Sequence, residues 1–109
     1  MPADGVIHAI SLTRKAGRLV LGFDPVKDNI LNGNACLVLT AGDLSPRTLG
    51  RVRQLCGDEV ELIPLPCTQA ELADVTRKPV GVLAVLDPNL ARLCKNSIEK
   101  YAAQNAAPQ

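Results

Sequence analysis

Few residues of this chain could do covalent chemistry. His8 is the only histidine and sits beside Ile7 and Ile10 in an amphipathic stretch, which gives it a place on a helix rather than the role of a general base. The cysteines Cys36, Cys56, Cys67 and Cys94 include no Cys-x-x-Cys pair, so the spacing of a zinc site is missing. They read as free, reduced and buried thiols, and none has the cationic, open surroundings of a nucleophile. Leu21-Gly22-Phe23-Asp24 holds one glycine where a dinucleotide-binding turn uses three. The chain therefore reads as a protein that is not an enzyme, with no cofactor and no metal.

Binding chemistry is better supplied. Twelve Lys and Arg against eleven Asp and Glu leave a formal charge of +1, so an anionic partner would have to be met by local clusters of cations rather than by the total. Arg14, Lys15 and Arg18 flank Gly17 with no acid among them, and Lys27, Arg47, Arg51, Arg53, Arg77 and Lys78 make three further groups. Phe23 follows Gly22 in a turn, where a ring could stack on a base. Asp24, Asp43 and Asp87 each stand just past an apolar run. Helix capping accounts for Asp24 and Asp87, whereas turn formation explains Asp43 less completely.

The elements that must position these residues follow from spacing and punctuation. Val6, Ile7 and Ile10 recur at helical intervals up to Arg14 and Lys15, and Gly17 stops that helix. Residues 18–22 read as a short strand bounded by glycine. Asp24-Pro25, Ser45-Pro46 and Asp87-Pro88 each read as a helix start, a side-chain cap followed by a proline that loses no hydrogen bond at the first helical position. Thr68 to Glu71 is a fourth start, of the capping-box kind.

Between these starts, residues 36–39, 60–63 and 80–86 read as strands. The middle one alternates as an edge strand does, and the other two are apolar throughout, like strands covered on both faces. Leu49, Val52 and Cys56 share one face of the helix after Ser45, with Arg47 and Arg51 on another; the last helix carries Leu90, Leu93, Cys94, Ile98 and Tyr101. Alternating helices and strands call for an α/β fold, a sheet covered on both sides.

Lys15-Ala16-Gly17-Arg18 with its short strand to Gly22, then Asn32 to Asp43, resemble the opening half of the ribosomal L-seven-Ae and L-thirty-e family. Ser45-Pro46-Arg47-Thr48, Thr68 to Leu72 and Val82 to Pro88 follow in family order. The likeness spans about residues 3 to 95 and is nearest to the bacterial YlxQ-like branch. It implies a three-layer α-β-α sandwich on a four-stranded mixed sheet. It also implies binding of kinked, structured RNA such as a kink-turn, ribosomal or otherwise, through the loop after the first strand and the loop before the last. Archaeal members carry Asn-Glu where this chain has Asp24-Pro25, and Lys27 stands for the basic residue that follows.

The expected site accordingly takes in Arg14, Lys15, Gly17, Arg18, Gly22, Phe23, Asp24, Lys27, Arg47 and Lys78, with Asp24 accepting from a base edge. One RNA-binding domain is expected over residues 1–101, with a frayed tail at 102–109, in a cytoplasmic monomer that works in translation, on or near the ribosome. No signal segment is read at the N-terminus, and no apolar run approaches the roughly 20 residues that cross a bilayer. The alternative is a protein-interaction module of the same fold that has lost strong RNA affinity, using the surface near Leu62 to Leu65 or the last helix.

Overall fold

Residues 4–105 are described by the structure, a computed structural model. They run as α1 (Asp4–Lys15), β1 (Leu19–Leu21), α2 (Phe23–Leu31), β2 (Leu37–Thr40), α3 (Pro46–Cys56), β3 (Leu62–Pro64), α4 (Gln69–Thr76), β4 (Val82–Val85) and α5 (Pro88–Asn105). Three helix starts are built as their residue types require. Ser45 Oγ accepts from the Thr48 N–H ahead of Pro46, Thr68 and Glu71 close a reciprocal capping box, and Asp87 Oδ1 accepts from the N–H groups of Asn89 and Leu90.

The sheet order is β1-β4-β2-β3, with β4 antiparallel to both its neighbours and β2 parallel to β3. β2 and β4 are the central strands and are buried at every position. Because side chains alternate across a strand, Leu37, Leu39, Leu83 and Val85 face one layer, where Val6, Ile10, Leu72, Cys94 and Ile98 of α1, α4 and α5 cover them. Val38, Val82 and Ala84 face the other way, toward Val26, Val52 and Cys56 of α2 and α3. The result is the α-β-α sandwich on a mixed four-stranded sheet.

Several expectations change. The surface expected around Leu62 to Leu65 is largely covered: Leu65 is buried and Leu62 and Ile63 are half-buried against opposite cores, which leaves Pro64 exposed. Edge strand β3 alternates, but both of its faces are covered. Leu93, one of the apolar positions of the last helix, is 37% exposed, and His8 is exposed on α1. Cys36 is an exposed thiol, unlike Cys56, Cys67 and Cys94, because it stands one residue ahead of the covered part of β2. The tail expected from residue 102 is helical as far as Asn105, since alanine and glutamine extend a helix already nucleated by packing. Residues 106–109 of that tail lie outside the described residues.

Candidate nucleic-acid interface

Strand direction decides which loops meet. β1, β2 and β3 run one way and β4 runs against them, so the exits of the first three strands share a margin of the sheet with the entry to β4. The register fixes this, with Leu21 opposite Leu83 and Thr40 opposite both Val82 and Pro64. This margin carries Gly22-Phe23-Asp24, residues 41–45, residues 65–68 and residues 77–81.

Gly22 turns the chain from strand to helix in a single residue. Its N–H donates to the Val82 carbonyl at 2.9 Å, continuing the β1–β4 ladder, and its carbonyl accepts from the Val26 N–H at 3.2 Å, opening α2. It does so at φ 97° and ψ 158°, a conformation that side chains with a Cβ resist. Gly42 serves a neighbouring turn by close approach. Its N–H donates to the Cys67 carbonyl at 2.7 Å, and a Cβ there would lie 3.0 Å from the Leu65 carbonyl oxygen, so only glycine lets the two turns touch.

Two acids take roles that differ from those expected. Asp24 is not a cap: α2 begins at Phe23, its N-cap is Gly22, and no side chain bonds its first N–H groups. The Asp24 carboxylate is exposed in the first turn, at the positive end of the helix dipole. The proline at 25 falls one position later than a cap at 24 would need, because the chain is already turned by Gly22. Asp43 crosses the margin instead. Its Oδ1 accepts the Gln69 N–H at 2.9 Å, tying the turn before α3 to the start of α4, a contact across 26 residues that no local pattern announces.

Phe23 is not an open ring. It is half-buried against the core of Val26, Val38 and Val52, and the Arg51 guanidinium carbon lies over it at 4.5 Å from the centroid. Arg51 reaches Phe23 because side chains on a helix lean toward its N-terminus, and α2 and α3 both start at this margin. Arg51 lies outside the site expected from the sequence, although its spacing of four residues from Arg47 puts both on one helix face.

Gly22, Phe23, Asp24 and Lys27 of the α2 start, Arg47 and Arg51 of α3, and Lys78 of the connection into β4 belong to segments that share this margin. The Lys78 carbonyl is held by the Thr76 hydroxyl at 2.6 Å. Arg14, Lys15, Gly17 and Arg18 are not part of this group. They precede β1, and the Arg18 carbonyl accepts from the Leu86 N–H beyond the far end of β4. From Arg18 to Gly22 the extended chain spans about 13 Å, so the expected support of the Gly22 loop by these residues fails because the whole strand stands between them. An open groove of about 420 Å³ lies at that far margin, lined by Cys36, Arg92 and the Lys95–Glu61 ion pair. Among the described residues no cluster of His, Cys, Asp or Glu could hold a metal, and no helix is long and apolar enough to cross a membrane.

No family model matches the chain. It is 29% identical over 97 residues to the RNA-binding protein YlxQ of Enterococcus faecium, covering 85% of this chain and 90% of the relative. Among solved structures, a protein of unknown function from Bacillus halodurans C superposes with a TM-score of 0.79 at 22% identity, over 89% of this chain and 98% of the other. The Giardia lamblia 15.5kD RNA binding protein superposes with a TM-score of 0.73 at 16% identity, over 94% of this chain and 88% of the other. The likeness in sequence to YlxQ and in fold to the two solved structures agrees with the resemblance to the L-seven-Ae and L-thirty-e family. The two loops that this family likeness points to, between β1 and α2 and before β4, lie on one margin here.

Proposed function

We propose that this chain binds structured RNA at the Gly22 margin, without catalysis, and that kinked RNA in a translation setting is its target. One observation carries the reading: three segments far apart in sequence place Lys27, Arg47 and Lys78 on the same margin as the uncapped start of α2. Phosphate oxygens are held by such cations and by free helix N–H groups, and these contacts set position without reading sequence. The relative and the neighbour that are named as RNA-binding proteins support the choice of RNA. Asp24, exposed and engaged with no backbone group, supplies an acceptor for a guanine edge. We place the protein in the cytoplasm as a monomer.

Fluorescence anisotropy with a kink-turn hairpin and with a fully paired hairpin of equal length tests this. The kinked RNA binds more tightly, and affinity for both falls as salt rises from about 50 to 200 mM, because each neutralised phosphate releases counterions. Arg47→Ala and Lys78→Ala each weaken binding to both RNAs and lower the salt slope by about one, while Lys15→Ala and Arg18→Ala leave both nearly unchanged. Asp24→Ala costs about 1–3 kcal/mol where a guanine edge is presented. Equal affinity for the two hairpins would remove the kink preference, and salt-insensitive binding would remove the phosphate grip.

A further inference from the structure

We propose that Arg51, seated over Phe23, is a stacking platform for one unpaired base, so that the ring serves the RNA through the guanidinium rather than by direct contact. This rests on the RNA-binding reading and names a subsite within it. Phe23 and Lys27 are four residues apart on α2, and Arg47 and Arg51 are four apart on α3, so the two pairs lie on ridges of adjacent helices that start at the same margin. Arg51 bridges them, its guanidinium carbon 4.5 Å from the Phe23 centroid.

Three features of Arg51 support the platform. Among the described residues no carboxylate lies within ion-pair distance of Arg51, so its charge is uncompensated. The Phe23 ring, itself packed against Val26, Val38 and Val52, has the Arg51 guanidinium carbon above its face. Arg51 is exposed, so the face turned away from the ring is open. A planar, delocalised cation with one face on an aromatic ring stacks a nucleobase on the other face, and lysine cannot replace it because an ammonium has no plane. Arg47, one turn nearer the margin, then meets the phosphate of the stacked nucleotide, and Lys27 the next one.

The test is binding of the same kink-turn hairpin, with its unpaired nucleotide present or removed, to the intact protein and to Arg51→Lys, Arg51→Ala and Phe23→Leu. Arg51→Lys keeps the charge and loses the plane. It is expected to weaken binding about tenfold with an unchanged salt slope, and the loss should vanish on the RNA lacking the unpaired nucleotide. Phe23→Leu leaves the guanidinium unsupported and should reproduce most of that loss while its circular dichroism stays native. If Arg51→Lys binds as well as the unaltered protein, the platform is refuted and Arg51 contributes charge alone. If Arg51→Ala lowers the melting temperature but not the affinity, the pair is only a clamp between α2 and α3, which also refutes it. Failure of the unaltered protein to bind either hairpin would instead overturn the RNA-binding reading on which the platform stands.

Discussion

Thr40→Val should make this protein more stable. Thr40 closes β2 at 1% exposure, and its hydroxyl oxygen has no hydrogen-bond partner among the described residues. Thr13 and Thr76 are just as deeply placed, yet the Thr13 hydroxyl donates to the Ala9 carbonyl, and that of Thr76 reaches the carbonyls of Leu72 and Lys78 at 3.0 and 2.6 Å. Burying an unpaired hydroxyl costs about 1–3 kcal/mol, and valine has the same branch, nearly the same volume and an equal liking for strands. The alternation of β2 turns Thr40 to the Val38 face, so the new methyl meets aliphatic neighbours. The expected gain is about 1–2 kcal/mol. For a domain of this length 1 kcal/mol moves the melting temperature by about 4 °C, so a rise of about 4–8 °C is expected. Urea titration should show a higher midpoint with unchanged slope. Thr76→Val, which deletes a paired hydroxyl, should go the other way by about 1 kcal/mol. A Thr40→Val protein that melts no higher than the parent would refute the reasoning and show that the hydroxyl is satisfied in solution.

Asp87→Ala should cost about 1 kcal/mol of stability, because it removes a cap with two N–H donors, while Asp24→Ala should cost almost none; chemical denaturation of the pair tests this, and equal losses would contradict the uncapped start of α2. Under native conditions one thiol, Cys36, should react promptly with a maleimide and the other three should wait for unfolding, as mass spectrometry of the labelled peptides would reveal. Burial, aided by nearby Glu71, pushes the Cys67 thiol up to about 11, and burial also raises Cys56 and Cys94. A folded-state value above the unfolded one favours the fold fully below about pH 9, and that contribution is lost as the pH climbs toward 11. Melts from pH 8 to 11 should therefore show falling stability, by about 2–3 kcal/mol from Cys67, and a smaller fall in Cys67→Ala.

The chain's own spacing determined a good deal about this protein. The helices that begin after Ser45, Thr68 and Asp87 were readable because a cap acts over three residues and needs no distant partner. The central place of β2 and β4 was readable from unbroken apolar runs, since a strand covered on both faces has no polar side to show. The start at Asp24-Pro25 misled for the same local reason, because a strained glycine one residue before Phe23 did the turning that a cap usually does. Only the tertiary structure decided which residues share a margin. With β4 set antiparallel between β1 and β2, Lys78 comes to the Gly22 side, and Arg14, Lys15 and Arg18 go to the opposite one, although in sequence they are nearer to Gly22 than Lys78 is. The placement of Arg51 over Phe23 and of Asp43 on the Gln69 N–H belongs to the same class. Local signals are spent within a turn or a strand, whereas the order and direction of strands follow from burying both faces of one sheet at once, and that condition is written in no single stretch of residues.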